Sequence, residues 1–130
     1  LQMLKLHKLY NTSVIASKLI NKKNVSRWGI FKTKKFKKNN FLIDDVIEKP
    51  SISKAPSAYA VIGRYILPSK IFQILKKQKP GQSGEIHITD AIRTLIKQDN
   101  KFLGHVFNGK YLDCGSMNGY IKSSLEISKL

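Results

Sequence analysis

The chain has 130 residues, one cysteine and a formal net charge of +16. This length suits one domain, and no apolar run approaches the roughly 20 residues that a membrane-spanning helix requires. The cations are 21 Lys and only 3 Arg, whereas proteins that read base edges rely on the planar fork of Arg, so the composition disfavours specific nucleic-acid binding. The single cysteine excludes an internal disulfide framework and favours a reducing compartment, which predicts a cytoplasmic location.

The first half of the chain predicts one helix and several strands. The helix covers residues 2–10, and strands are predicted at residues 13–17, 27–32, 41–47 and 58–67. The run of Lys and Asn at 32–40 predicts a solvated hairpin tip. The strand at 58–67 is an almost continuous apolar run, which predicts a buried central position in a sheet.

The second half predicts further helices and a hairpin. A helix is expected at residues 69–77, and two more begin at Thr89 and Ser116, which are residue types that cap helix N-termini. Strands at 102–107 and 110–112 would pair through Asn108-Gly109, a strong turn signal. Because helices and strands mix throughout, the predicted class is α/β.

Glu48-Lys49-Pro50 is the strongest candidate for a binding site. Neighbouring side chains of a strand point to opposite faces, but the proline keeps Lys49 out of the helical region and turns the chain. Both charged groups can then reach one pocket. A carboxylate accepts hydrogen bonds from hydroxyl groups, an ammonium neutralises a phosphate, and a sugar phosphate needs both. The alternative is a surface ion pair at the end of a strand.

Gly29 and Asp113 are two further candidates. A glycine in a strand lets a ligand approach closely, or else it marks a β-bulge. Asp113 lies between a predicted strand and a predicted helix. Its carboxylate is of the type that magnesium prefers, and the alternative is that it caps the helix.

Five motifs resemble, in the same order, those of bacterial UTP–glucose-1-phosphate uridylyltransferases, which are sugar-phosphate nucleotidyltransferases. The motifs are Val25-Ser26-Arg27-Trp28-Gly29-Ile30, Val46-Ile47-Glu48-Lys49-Pro50, Ala60-Val61-Ile62-Gly63-Arg64-Tyr65, Gly84-Glu85-Ile86-His87-Ile88-Thr89-Asp90-Ala91-Ile92 and Leu112-Asp113-Cys114-Gly115. The family's Gly-x-Gly-Thr-Arg loop has no counterpart here. The resemblance therefore implies that residues 1–130 are the C-terminal half of a Rossmann-like nucleotidyltransferase domain, with a mixed sheet and flanking helices.

The resemblance also implies an activity and a set of site residues. The enzyme would form UDP-glucose and pyrophosphate from UTP and glucose 1-phosphate, with Mg²⁺ as cofactor. Gly29 would offer its amide to the hexose, Glu48 would bind glucose hydroxyls, and Lys49 would bind the phosphate and be the catalytic residue. Asp113 would be one of two carboxylates at the metal.

The implied loss of the N-terminal half has two expected consequences. The 130 residues alone should be inactive, because no phosphate-binding loop orients the nucleotide. An incomplete sheet should also leave strand edges and apolar faces open, either to a separate N-terminal half or to a second copy of the chain.

One alternative function remains open from the sequence. A Lys-rich nucleic-acid-binding module would combine the basic segment with aromatic side chains on which bases stack. Phe31, Phe36 and Phe41 lie within that segment and would be the stacking residues.

Overall fold

The computed structural model describes residues 1–81 and 84–129, and it mixes helices and strands as predicted. The helices are α1 (Gln2–Tyr10), α2 (Ile71–Lys77), α3 (Ile88–Lys97) and α4 (Met117–Ile127), with a short 3₁₀ helix at Lys22–Arg27. The strands are β1 (Ser13–Leu19), β2 (Gly29–Lys37), β3 (Asn40–Glu48), β4 (Tyr59–Ile66) and β5 (Phe102–Val106).

Within the described residues, five strands close into a barrel in the order β1, β4, β2, β3, β5. β1 and β5 run parallel and complete the ring, whereas the other neighbouring pairs are antiparallel. The prediction of a central strand at 58–67 is confirmed by β4, which pairs with β1 on one side and β2 on the other. The expectation that an incomplete sheet would leave strand edges open is wrong for the described strands, because each of them has a neighbour on both sides within this chain.

The main core is shared by all five strands together with α2 and α3. α3 turns Ala91, Ile92 and Leu95 inward, as its helical spacing predicts. Phe41 fills the space beside Gly104, where an added Cβ would lie only 2.0 Å from the phenylalanine ring. The absence of a side chain at this position of β5 is therefore a packing requirement.

The hairpin of β2 and β3 is more regular than the sequence predicts. The Lys-rich run does not form a long solvated tip but continues as β2 to Lys37, and β3 begins at Asn40. Asp44 on β3 lies 3.1 Å from the Lys32 ammonium and 2.6 Å from that of Lys34. These cross-strand ion pairs lower the mutual repulsion of the lysines, which allows the run to be a strand.

The predicted second hairpin is wrong. β5 ends at Val106, and residues 110–112 are irregular. β5 already pairs with β1 on one side and β3 on the other, so it has no free edge for another strand. Asn108 is instead held by the Gln2 side chain of α1, which makes two 3.0 Å hydrogen bonds with the backbone of Asn108.

The two terminal helices leave apolar side chains on the surface. α4 begins as predicted at Ser116, whose Oγ accepts a hydrogen bond from the Gly119 amide at 3.1 Å. Its apolar side chains nevertheless remain 49–74% exposed; they are Met117, Tyr120, Ile121, Leu125 and Ile127. Among the described residues, no helix has the length and apolar character needed to cross a membrane.

Candidate functional site

A cleft of about 320 Å³ lies at the open end of the β2–β3 hairpin, where Gly29 begins β2 and Glu48 ends β3. The remaining walls come from β4, from the start of α3 and from the segment after β5; they include Val61, Tyr65, Thr89 and Tyr111. Two of the predicted site residues, Gly29 and Glu48, are thus brought together as directly paired positions. The cleft is bounded by the end of one hairpin and the beginning of one helix.

Glu48 is held in the cleft by a side chain that the sequence predicts in another role. Thr89 is not the N-cap of α3, because the helix starts at Ile88 and His87 occupies the cap position. The Thr89 hydroxyl donates instead to Glu48 Oε2 at 2.8 Å. Thr89 is only 4% exposed, so packing holds its hydroxyl in place and the part-buried bond fixes one oxygen of the carboxylate.

Neighbouring side chains approach the backbone of Gly29 so closely that no side chain fits at this position. A Cβ at this position would lie 2.9 Å from Thr89 Cγ2, 3.1 Å from Glu48 Oε2 and 3.2 Å from Val61 Cγ2. The irregularities in the β2–β3 register fall between Lys32 and Thr33 and between Lys35 and Lys37. The β-bulge alternative for Gly29 is therefore wrong, and the glycine makes room for the contact between Thr89 and Glu48.

Lys49 follows Glu48 but is not among the residues that line the cleft. Its backbone has a positive φ of 43°, which is outside the right-handed helical region as Pro50 predicts. Its amide donates to the Trp28 carbonyl at 3.0 Å, so the backbone lies beside the cleft while the side chain is exposed. The role of Lys49 at a phosphate stays a prediction.

Asp113 lies in a loop and not at the end of a strand. Its Oδ1 accepts from the Gly115 amide at 3.0 Å, and its Oδ2 lies 3.9 Å from the Arg27 guanidinium. Ser116 caps α4, so the capping alternative for Asp113 is also wrong.

In the described part of the chain, Asp113 does not form a magnesium site by itself. Oδ1 accepts a hydrogen bond and Oδ2 faces a guanidinium, whereas magnesium is usually bound by one or two carboxylates together with substrate phosphates and water. The described part of the chain contains no group of three His, Cys, Asp or Glu side chains placed to hold a metal.

Sequence patterns did not single out two tyrosines at the cleft. Burial, together with the Glu48 charge, raises the pKa of Tyr65 above its usual value. Burial and then the Asp113 charge raise the pKa of Tyr111, which Arg64 partly opposes. Tyr111 also meets Trp28 edge to face with ring centroids 5.6 Å apart, so the segment after β5 forms one wall of the cleft.

The aromatic residues of the basic segment are not arranged for stacking on bases. Phe31 is 0% and Phe41 is 6% exposed, because both point into the core. Phe36 packs edge to face against Tyr10 with centroids 5.2 Å apart. The observation that favoured the nucleic-acid alternative is therefore removed.

The chain belongs to the nucleotidyl transferase family, whose model matches residues 1–129. The resemblance shown by the five motifs is confirmed by curated relatives. UTP–glucose-1-phosphate uridylyltransferase of Pseudomonas aeruginosa is 37% identical over 123 residues, which are 95% of this chain and 44% of the relative. UTP–glucose-1-phosphate uridylyltransferase 2 of Streptococcus pyogenes is 40% identical over 117 residues, covering 89% and 39% respectively.

Solved structures confirm the predicted fold class. A UDP-glucose pyrophosphorylase complexed with UDP-glucose superposes with a TM-score of 0.93 at 41% identity, over 98% of this chain and 48% of that one. The UTP-bound enzyme of Acinetobacter baumannii gives 0.81 at 29% identity, over 97% and 43%. The chain spans less than half the length of these relatives, and its placement as their C-terminal part stays a prediction.

Proposed function

We propose that this chain forms the sugar-phosphate side of a nucleotidyltransferase that makes UDP-glucose and pyrophosphate from UTP and glucose 1-phosphate. In that reaction a phosphate oxygen of glucose 1-phosphate bonds to the α-phosphorus of UTP. The bond from that phosphorus to the bridging oxygen breaks, and pyrophosphate leaves. Such a transfer depends mainly on alignment and on neutralisation of charge.

The observation that carries this proposal is the geometry of Glu48. One oxygen of its carboxylate is occupied by Thr89 at 2.8 Å, and the group lines a cleft beside a residue without a side chain. An oriented carboxylate at an open position suits the binding of sugar hydroxyls. The similarity to a UDP-glucose pyrophosphorylase complexed with UDP-glucose supports the choice of glucose.

Two charged residues, Lys49 and Asp113, would bind the phosphate and the magnesium ion in this proposal. Lys49 is exposed next to the cleft and would bind the sugar phosphate, whose negative charge an ammonium partly neutralises. Magnesium, which shields a triphosphate when it is bound, also stays a prediction. Asp113 would supply at most one ligand after release from Arg27, and nucleotide phosphates would supply others. The cytoplasmic location rests on the single cysteine alone.

The catalytic unit would also need a nucleotide-binding part from polypeptide outside these residues. This is supported by the share of the relatives that the chain covers, 44% for the Pseudomonas aeruginosa enzyme. A groove of about 640 Å³ between α1 and the segment after β5 is lined largely by apolar side chains, among them Met3, Leu4, Phe107 and Leu112. The rest of a nucleotidyl transferase domain is the proposed occupant of this surface, with a second copy of the chain as the alternative.

The test combines binding with complementation. Glucose 1-phosphate is titrated calorimetrically into the chain, and UDP-glucose formation is measured with and without the part of the Pseudomonas aeruginosa enzyme that the chain does not match. We expect binding without turnover by the chain alone, and turnover once the second part is added. Lys49→Ala should lower the complemented rate about tenfold or more, since a hydrogen bond between charged groups is worth about 1.5–3 kcal/mol and about 1.4 kcal/mol corresponds to one factor of ten.

Lys35→Ala is the matched control, because Lys35 is an exposed lysine of the same hairpin that lies away from the cleft. Equal effects of the two substitutions would remove Lys49 from the site. Turnover by the chain alone would show that no further polypeptide is needed. Absence of glucose 1-phosphate binding in both the isolated and the complemented protein would contradict the proposed function.

A further inference from the structure

Two side-chain contacts on one face of helix α3 join it to the C-terminal end of strand β3. The Thr89 hydroxyl donates to Glu48 at 2.8 Å. One turn later the Arg93 guanidinium meets Asp45, with Nη2 at 2.9 Å from Oδ2 and Nε at 2.8 Å from Oδ1. Residues four apart on a helix share a face. These contacts therefore fix the position of the start of α3 relative to the end of β3.

In the described part of the chain, the contact with Thr89 uses one oxygen of the Glu48 carboxylate and leaves the other available to a ligand. Among residues 1–81 and 84–129, the side-chain hydrogen bond made by the Glu48 carboxylate is the one at Oε2, which leaves the lone pairs of Oε1 able to accept hydrogen bonds from a ligand. A carboxylate without the Thr89 bond would rotate between several orientations. Binding a sugar would then cost the additional entropy of fixing the side chain.

From these contacts we infer that Thr89 is a positioning residue that orients Glu48 toward the hydroxyls of the sugar phosphate. It acts through Glu48, and Gly29 provides the space for its methyl group. The role in sugar binding rests on the proposed function. The orientation of the Glu48 carboxylate does not, and it can be measured without any ligand.

The experiment compares two substitutions at Thr89 with one at Thr94. Thr89→Val removes the hydroxyl while keeping the shape, and Thr89→Ser keeps the hydroxyl. Thr94→Val is the matched control, because the Thr94 hydroxyl of the same helix donates to the Asp90 carbonyl at 3.0 Å and is exposed. Each protein is labelled with ¹³C at the glutamate carboxyl carbons. The chain contains three glutamates, and Glu48→Gln identifies the signal of Glu48.

Three readouts separate positioning from a general loss of stability: the Glu48 carboxyl signal, the dissociation constant for glucose 1-phosphate, and the thermal midpoint. Thr89→Val should shift the Glu48 signal and weaken binding severalfold, up to about tenfold, as expected when binding must also fix one freely rotating side chain. Thr89→Ser should retain the wild-type signal and bind within about twofold of the wild type. Thr94→Val should match the wild type in both the Glu48 carboxyl signal and the dissociation constant for glucose 1-phosphate.

The inference is overturned if Thr89→Val leaves the Glu48 signal unmoved, or if it weakens binding no more than Thr94→Val does. If Thr89→Val does not fold, Thr89→Ala compared with Thr89→Ser supplies the same contrast. If the wild type does not bind glucose 1-phosphate, the proposed function is wrong, and the carboxyl signal alone decides whether Thr89 orients Glu48.

Discussion

Substituting Gly29 by alanine should both destabilise the fold and impair the cleft. The new Cβ would lie 2.9 Å from Thr89 Cγ2 and 3.2 Å from Val61 Cγ2, and 3.1 Å from Glu48 Oε2. Thr89 sits on a packed helix and Val61 on a strand with two neighbours, so neither can move away freely. Overpacking of this kind costs about 1–3 kcal/mol. Relief by separating Thr89 from Glu48 would also weaken a hydrogen bond to a charged group, worth about 1.5–3 kcal/mol.

Thermal unfolding and titration with glucose 1-phosphate test this expectation together. For a domain of this size a loss of 1 kcal/mol lowers the midpoint by roughly 3–6 °C, so we expect a decrease of several degrees and weaker binding. Gly81→Ala is the control, because its Cβ would meet no atom closer than 3.7 Å. A Gly29→Ala protein with the stability and affinity of the wild type would refute the idea that close approach explains this glycine.

Three further substitutions probe the fold around the site. Gly104→Ala should destabilise by about 3 kcal/mol or more, because its Cβ would overlap the Phe41 ring at 2.0 Å, and adding Phe41→Leu should recover part of the loss in denaturant unfolding. The pKa of Tyr65 is raised in the folded protein, so the neutral phenol stabilises the fold fully below pH about 10, and this stabilisation is lost as the pH rises through the pKa of the folded state. Tyr65→Phe should therefore flatten the alkaline decline of the thermal midpoint. Ser116→Ala should cost about 1 kcal/mol by removing the cap of α4, seen as faster amide exchange at Gly119, and unchanged exchange would contradict the cap.

Local periodicity predicts the elements whose neighbours do not alter them. The apolar run of β4 and the helical spacing of α3 lead directly to their observed positions. The hairpin predicted at Asn108-Gly109 failed for a reason outside its own sequence, because both edges of β5 were already paired. The prediction of a solvated tip for the Lys-rich run failed for a similar reason, since Asp44 on the opposite strand pairs with two of its lysines.

The sequence predicts the part of the site that strand pairing alone brings together. Gly29 and Glu48 are opposite partners in one hairpin, so two motifs distant in sequence become neighbours once the hairpin forms. Thr89 was missed as a cleft residue because threonine at a helix start is usually a cap. Only the packing of α3 against β3 shows that its hydroxyl is used by Glu48 instead.

Because the barrel is closed, binding of the sugar phosphate and turnover should depend on different parts of the structure. Each of the five strands in the described residues finds both neighbours within the chain, so the backbone pairing around the cleft needs no other polypeptide. The same part of the chain also supplies Gly29, Glu48 and Thr89. The apolar surfaces left open are on α4 and in the groove beside α1. This groove shares Ile62, Tyr65 and Tyr111 with the cleft but is not lined by Gly29, Glu48 or Thr89. Recognition of the sugar phosphate should therefore survive in the isolated chain, whereas turnover should depend on what covers those helices.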